Sequence, residues 1–477
     1  MGLELITYSI SDIGKVITGK TPPASIKSAY SALDGVPFVT PKDMDGRRWI
    51  ENTERYLTSD GVAAVKRNLV PAMSVAVSCI GSDMGKAVLL KKESITNQQI
   101  NSIVIDVKRF NPKYIYYVLS TKQQYFKDIA GGSATPILNK TDFGKITFQA
   151  PSKYYQDLIV EYLDCLDSKR ELNRQINQTL EQMAQALFKS WFVDFDPVID
   201  NALDAGFFEQ DLALPDELLR RAEARRAVRE HGDFKPLPDA TRQLFPAAFE
   251  ESDEPSLGLG GWVPQGWAYT MMNDLVEIAS SKRVFAKDYM TSGIPFYRGK
   301  EISELSKGNE VKTEIFISEE KYNELRDKAG APKAGDILIT SVGTIGNTYL
   351  VREGDQFYFK DGNLTWIKDY KKVSIPYYLS EWFKTSLAKN AIEKIKIGTT
   401  QQAITIQALN TLSILEPSKD VLCFFEQQVA SNREKYNANI QQINDLNRLR
   451  DTLLPKLISG ELRLDNIEAQ LTKDGVA

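Results

Sequence analysis

The chain has 477 residues, with 59 Lys and Arg against 63 Asp and Glu, three cysteines and a single histidine. That length allows two to four domains with proper cores, and the ordinary charged and apolar fractions place the chain among soluble globular proteins. One histidine, His231, in a polar stretch without a ligand cluster, nearly excludes His-based metal sites and Ser-His-Asp chemistry.

The N-terminal MGLELITYSISD lacks a basic leader, and the longest apolar stretch, around Val70 to Gly81, is far too short to span a bilayer. Cys79, Cys165 and Cys423 are scattered without a C-x-x-C pair, which suggests a reducing cytoplasm and small buried apolar residues. A cytoplasmic protein without membrane attachment is therefore expected.

The first motif is "GKVITGKT" at 14 to 21, which fits G-x-x-x-x-G-K-[ST] at every required position. A phosphate cradle needs a glycine-rich turn that leads from a strand into a helix, so that free amides face the anion. Here Pro22 and Pro23 follow, which remove donors and push Thr21 and Pro22 away from helical geometry. A nucleotide-binding enzyme working through residues 14 to 21 is kept only as an alternative; glycines that serve backbone geometry are the stronger reading.

Residues 1–150 alternate β-rich runs such as "SVAVSCI" and "NSIVIDV" with Gly, Pro and Asn turns, and add the helix-like "PKYIYYVLSTKQQYF". That is a mixed α/β globule. Pro151 and Ser152 then open a stretch with no glycine or proline before Pro197, which predicts one long helix over 151–196. Residues 197–262 read as a linker with a basic helical patch, "LLRRAEARRAVRE", whose glutamates favour a solvated face over a nucleic-acid patch. Residues 263–417 form a second globule of the same grammar, 418–462 a second long helix and 463–477 a tail, and Pro455 should bend or loosen the last turn of that helix.

The chain repeats itself. "DIGKVITGKTPP" from Asp12 lies over "DLVEIASSKRVF" from Asp274, where Ser281-Lys282-Arg283 replaces Gly19-Lys20-Thr21 and the phosphate pattern vanishes. "AVSCIG" from Ala76 lies over "LITSVG" from Leu338, "NQQINSIVID" from Asn97 over "KDGNLTWIKD" from Lys360, and "GGSATPIL" from Gly131 over "IGTTQQAI" from Ile397. "PSK" recurs at Pro151 and Pro417. The offsets drift only from 258 to 267, as loop insertions would make them.

In the first long helix Ile176, Leu180, Met183 and Leu187 recur at spacings of four, three and four; in the second, Ile440, Ile443, Leu446, Leu454 and Leu457 share one side. Both read as coiled-coil seams. Roughly forty residues span about 60 Å, too far for a helix buried in its own globule, so each helix should pack on the other copy. A coiled-coil scaffold that does not bind DNA remains a further alternative.

Charge is uneven. Residues 1–150 hold 19 Lys and Arg against 13 Asp and Glu, a net +6, while 151–262 hold 12 against 22, a net −10. Residues 263–417 hold 20 against 19, so the globules are at best modestly basic and should bind DNA weakly without partners.

At this point a resemblance enters. "GKTPP", "PFVTPKD", "GGSATP" and above all "LEQMAQALFKSWFVDFDP" (180 to 197) closely resemble the DNA specificity subunit of Type I restriction-modification systems. "LRDTLLPKLISGELRL" (449 to 464) and "LPDATRQLFPAAFEESDEPSLGLGGWVPQGW" (237 to 267) are similar to other parts of that subunit. The resemblance implies an α+β fold of two mixed α/β globules with two long antiparallel coiled-coil helices and an internal pseudo-twofold repeat. It implies that each globule reads half of a bipartite double-stranded DNA site, that the helices set the gap, and that two methyltransferase (modification) subunits and two restriction (motor-nuclease) subunits join. It further implies no catalytic residue, metal or cofactor on this chain, with S-adenosylmethionine, ATP and Mg held by the partner subunits.

Base readers should be polar loop residues at matched positions, since Arg and Lys suit guanine, and Asn and Gln suit adenine. In the first globule these are Lys20, Lys42, Arg47, Arg48, Ser82, Lys86, Asn97, Gln98, Gln99, Ser133, Thr135 and Lys140. In the second they are Lys282, Arg283, Arg298, Lys300, Thr344, Asn347, Lys360, Asp361, Asn363, Thr399, Gln401 and Gln402. Partner docking is expected at the seam residues named above, with Trp191, Phe192 and Phe195 at the end of the first helix as an aromatic patch.

Overall fold

The computed structural model describes residues 4–81, 83–130, 137–254, 257–309, 311, 313–399 and 402–462. In it the sequence repeat becomes a repeat of topology. Ile6–Ser9 pairs antiparallel with Thr147–Ala150, and in the second half Ala268–Met271 pairs antiparallel with Ser413–Glu416. Gly14–Thr18, Ile100–Ile105, Val75–Ser78 and Ala87–Leu90 lie side by side in that order, every pair antiparallel. Glu277–Ala279, Leu364–Lys368, Ile337–Thr340 and Thr348–Leu350 repeat that order and direction. A second small sheet pairs Val36–Val39 parallel with Ser94–Thr96 and antiparallel with Tyr56–Leu57; Ile294–Tyr297 does the same with Tyr358–Phe359 and Phe316–Ile317.

Single hydrogen bonds align the two copies. Leu138 N–H donates to Cys79 O at 2.9 Å, and Ile404 N–H donates to Ser341 O at 3.0 Å, as the matched segments from Gly131 and Ile397 require. One alignment needs correcting. Thr96 faces Val39 and Phe359 faces Tyr297, but Ile103 and Ile367 then occupy equivalent positions, so the second copy has gained one residue in the turn after Lys360. Gly362, at φ 74°, lies in that longer turn. Left uncorrected, the shift would turn every side chain of the next strand to the wrong face.

The chain divides into two units, Met1–Leu172 with Ile443–Ala477, and Asn173–Gln442. The boundaries fall inside both long helices, Lys153–Phe192 and Lys419–Ser459, of 40 and 41 residues. In the first unit Asp167 and Arg170 of one helix meet Arg450 and Asn447 of the other; three steps up one is three steps down the other, so the helices are antiparallel. In the second unit Asn173 meets Gln442 and Asn177 meets Asn439, again antiparallel.

The seam differs from the apolar series expected. The expected Ile443, Leu454 and Leu457 are buried, but so are the polar Asp167, Arg170, Asn173, Asn177 and Asn439; Ile176, Leu180, Leu187, Ile440 and Leu446 are half-buried, and Met183 is 52% exposed. The middle of the interface is bonded side chain to side chain, which a search for apolar periodicity passes over. The second helix continues through Pro455 to Ser459, against the expected loosening. Leu454 and Leu457 on either side are buried in the first unit's core, and that packing offsets the missing amide.

Residues 197–262 are no linker. Val198, Ile199, Ala202, Phe207, Leu218, Ala222, Phe245 and Phe249 join the second unit's main core. The arginine patch is held by aspartates: Arg225 grips Asp200 with two hydrogen bonds, at 2.9 and 2.7 Å, and Arg229 and Arg242 both pair with Asp204. Arg225 and Arg229 are thus neutralised within the fold, while Arg220 and Arg226 stay exposed, in line with a solvated helix face.

Each long helix also ties down the start of a head helix. Asn111 caps Pro112–Ser120 through its side chain, while its own backbone amide donates to Gln156 and its side-chain amide to Asp157. In the second unit the Glu426 carboxylate accepts from the amides of Tyr377 and Tyr378, the first turn of Pro376–Lys384. Burial pushes the Glu426 carboxyl up to about 8, in spite of those two donors. Its folded value lies above the ordinary 4.5, so this group contributes stability at low pH that is lost as pH rises from that value through about 8. Melts of the wild type should therefore fall as pH rises from about 4.5 to about 8 and level off above that, and Glu426→Gln, which keeps an acceptor for the amides, should remove most of that fall.

Candidate nucleic-acid interface

Residues 14–21 form strand Gly14–Thr18 and then an irregular loop; the next α-helix begins at Ser59. Gly19 N–H donates to Ile100 O at 3.0 Å and Lys20 N–H to Thr96 O at 2.8 Å, so the amides a phosphate would need are already bonded. A Cβ on Gly14 would come 2.1 Å from Val104 O, and one on Gly19 would come 2.0 Å from Asn97 O. These glycines permit close strand approach, and the nucleotide alternative is overturned.

The same contacts assemble a loop cluster. Asn97 N–H donates to Val39 O, Thr21 donates through its hydroxyl to Gln98, Gln99 N–H donates to the Asn97 side chain, and Cys79 N–H donates to Gln99 O. Lys20, Asn97, Gln98 and Gln99 are thereby brought together, with Lys42 three residues beyond Val39 and Lys140 two beyond Leu138. The second head builds an equivalent cluster: Ser281 Oγ donates to Phe359 O, Lys360 N–H to Tyr297 O, Arg283 Nε to Asp361, and Ser341 N–H to Asn363 O. Lys282, Arg283, Lys360, Asp361 and Asn363 are thereby brought together. Lys300 follows Arg298 on the adjoining segment, and Gln402 adjoins Ala403, which bridges to Val342.

The candidate readers divide by what already holds them. Lys20, Lys42, Lys140, Lys282, Lys300 and Lys360 make no ion pair among the described residues, and all but Lys360 are exposed. Arg47 is paired with Asp45, Lys86 with Asp83 and Arg283 with Asp361, yet the Arg47 and Arg283 side chains remain open to solvent. Hydrogen bonding to Asp45, outweighing partial burial, holds the Arg47 guanidinium above its ordinary range. Thr344 and Thr399 are exposed, whereas Asn347 is half-buried and donates to Ser303.

Two arginines need correction. Arg48 is 9% exposed at its side chain and bound to Tyr117, Asp164 and Asp167, so its guanidinium is turned into the fold and away from a base. Arg298 is gripped by Glu301, which is buried and which its guanidinium holds below the usual carboxylate range against the raising effect of burial. Arg48 acts as a strut beneath the loops, and Arg298, 34% exposed at its side chain, is tethered to Glu301. Ser82, Ser133, Thr135 and Gln401 lie outside the described residues.

The docking candidates change in a similar way. Trp191, Phe192 and Phe195 are at most 4% exposed and pack on Phe245, Trp267, Tyr378 and Phe425 within the second unit. Ile443, Leu454 and Leu457 are buried as well. These six hold the fold, which leaves Met183 as the open position of the original set. Among the described residues no group of three or more His, Cys, Asp or Glu is placed to hold a metal, and no helix is long and apolar enough to cross a membrane.

Free lysines on two equivalent loop clusters suit phosphate contact, and the amides between them suit base edges. Alanine at Lys20, Lys42, Lys282 and Lys300 should weaken DNA binding by the assembled complex on every sequence. For each lysine that neutralises a phosphate, the slope of log K against log salt should drop by about 0.9. Titration at several salt concentrations measures it; an unchanged slope removes these residues from the interface.

Two doubled globules, each carrying such a cluster and each joined to the same helix pair, define a two-headed DNA reader, and comparison with known proteins agrees. The family model described as Type I restriction modification DNA specificity domain matches twice, at residues 4–182 and 264–444. The chain belongs to that family. It is 26% identical over 464 residues to the MjaIX specificity subunit of a Methanocaldococcus jannaschii Type I restriction enzyme, covering 96% of this chain and 93% of the relative. It is 26% identical over 487 residues to the HindI specificity subunit of Haemophilus influenzae, covering 95% and 99%. Its fold is also similar to the crystal structure of a Type I S subunit from M. genitalium, at TM-score 0.51 and 13% identity over 95% of this chain and 96% of that one.

Proposed function

We propose that this chain is the sequence-specificity subunit of a Type I restriction-modification complex, with each head reading one half of a bipartite DNA site. The observation that supports this best is the duplication itself: two heads of one topology carry equivalent polar loop clusters, and each is built onto the antiparallel helix pair. A pseudo-twofold chain of this kind matches two half-sites on a duplex by the logic that governs dimeric readers. Lysines on the loops take phosphates and fix register, while Asn97, Gln98, Gln99 and Asn363 offer amides to base edges.

Chemistry falls to partners. Two methyltransferase subunits would dock on the helices and clamp the duplex, with the target adenine flipped into their S-adenosylmethionine site. Two motor-nuclease subunits, using ATP and Mg, would add restriction. This chain would contribute binding, register and gap, and no reacting group. Cytoplasmic placement follows from that role, since the DNA is there.

Co-expression with the cognate methyltransferase subunit, followed by methylome sequencing, tests the reading. Adenine methylation at a split motif with a constant gap is the expected result. A continuous motif, or none in a complex that assembles, refutes it.

A further inference from the structure

Each head meets the long helices through a buried ionic cluster, and the two clusters have opposite polarity at equivalent positions. In the first unit Asp167, the fifteenth residue of its long helix, accepts from Tyr117 Oη at 2.7 Å and pairs with Arg48 at 3.3 Å and Arg170 at 3.1 Å. Tyr117 is the sixth residue of the head helix Pro112–Ser120. In the second unit the sixth residue of the matching helix Pro376–Lys384 is Glu381, and the fifteenth residue of the long helix is Arg433. These two pair at 2.9 Å. The buried acid has moved from the long helix to the head and an arginine stands in its place on the long helix, while the second head also keeps a cation, Lys384, which pairs with Glu381 at 2.9 Å.

The crossing helix follows the inversion. It supplies a cation, Arg450, to the first cluster and an anion, Glu181, to the second. Both acids are deeply buried, Asp167 at 4% and Glu381 at 2% exposure, so a mismatch there is not relieved by solvent. The second cluster has no slack either, since Glu381 Oε2 and Arg433 Nε already lack hydrogen-bond partners.

We propose that this inverted pair is a key that assigns each head to its own helix. Were the heads exchanged, within one chain or between two copies, Glu381 would be set against Asp167, and Arg48 against Arg433. Like charges would be buried in both places. The key therefore keeps the order of the two readers fixed and rejects the head of a second copy. It also makes recombination between the two repeats fail unless the clusters move with the heads.

Thermal melts of the full-length chain in two double-mutant cycles test this. In the first, Asp167→Arg should lower the melting temperature severely or abolish soluble protein, and adding Tyr117→Glu, the second unit's pair, should restore at least half of the loss. In the second, Arg433→Asp should do the damage and Glu381→Tyr should repair it. A key further requires that the neutral Tyr117→Gln fails to rescue Asp167→Arg, whereas a merely structural site would treat Gln and Glu alike. Rescue by the transplanted pair in either unit supports the proposal. Additive losses in both cycles, no soluble double mutant in either, or rescue by Gln as good as by Glu, overturn it.

Discussion

Four helical residues inserted into each long helix, after Leu172 and after Gln442, should change the preferred gap between half-sites by one or two base pairs. Each residue adds 1.5 Å of rise, so four add about 6 Å, against about 3.4 Å per base pair of duplex. Four residues also come close to one whole turn, so the inserted helices keep their facing sides. The insertion points lie where the two units divide, and the pairs Asp167–Arg450 and Asn177–Asn439 are left within their own units. Methylome sequencing of the modified complex reads the gap directly. Both half-site sequences should stay the same, because the loops are untouched. An unaltered gap would show that something other than the helix pair sets it. Two residues in place of four would rotate one part of each helix by about 200° against the rest, and methylation should be lost.

The second large effect is on stability. Asp167→Ala should cost about 3 kcal/mol, because it removes the one carboxylate that Arg48, Arg170 and Arg450 share, even though Asp164 still pairs with Arg48 and Asp451 with Arg450. For a unit of this size that is roughly a 6–12 °C drop in its melting transition, measurable by calorimetry. Lys20→Ala, an exposed loop change, should leave the same transition within about 2 °C. Arg48→Ala should behave like Asp167→Ala and unlike Lys20→Ala, which separates a strut from a DNA contact. If Arg48→Ala instead leaves the melt unchanged and weakens DNA binding, the reading of Arg48 as a strut is wrong.

Much of the fold was legible in residue order, because repeats and long uninterrupted helices are local or collinear signals. The matched "AVSCIG" and "LITSVG" runs became the equivalent strands Val75–Ser78 and Ile337–Thr340, and the stretch without glycine or proline became a helix of 40 residues. The two prolines after Thr21 were enough to discount the phosphate motif. The candidate site was legible only in part. Matched loops did come together around Asn97 and Asp361, but Arg48 and Arg298 look like base readers in sequence and are held by Asp164, Asp167 and Glu301 in the fold. An arginine's freedom depends on which carboxylate packs against it, and Asp164 is 116 residues from Arg48.

The polar part of the seam and the share of residues 197–262 in the second head escape the sequence for the same kind of reason. Asn173, Asn177 and Asn439 are polar, so no apolar count selects them, and their burial depends on a partner helix more than 250 residues away. Residues 197–262 look like a linker because they are rich in proline and charge, yet Phe207, Phe245 and Phe249 pack on Trp267 and its neighbours.

By itself the order of amino acids determined the duplication, the lengths of the helices and the presence of a single histidine, His231, since each is a property of spacing and composition. Only the tertiary structure decided which charged residues remain free to meet DNA, which face of each helix is the seam and which aromatic residues are core. Those depend on pairings between segments far apart in the chain, where burial sets the energy of every charge and hydrogen bond.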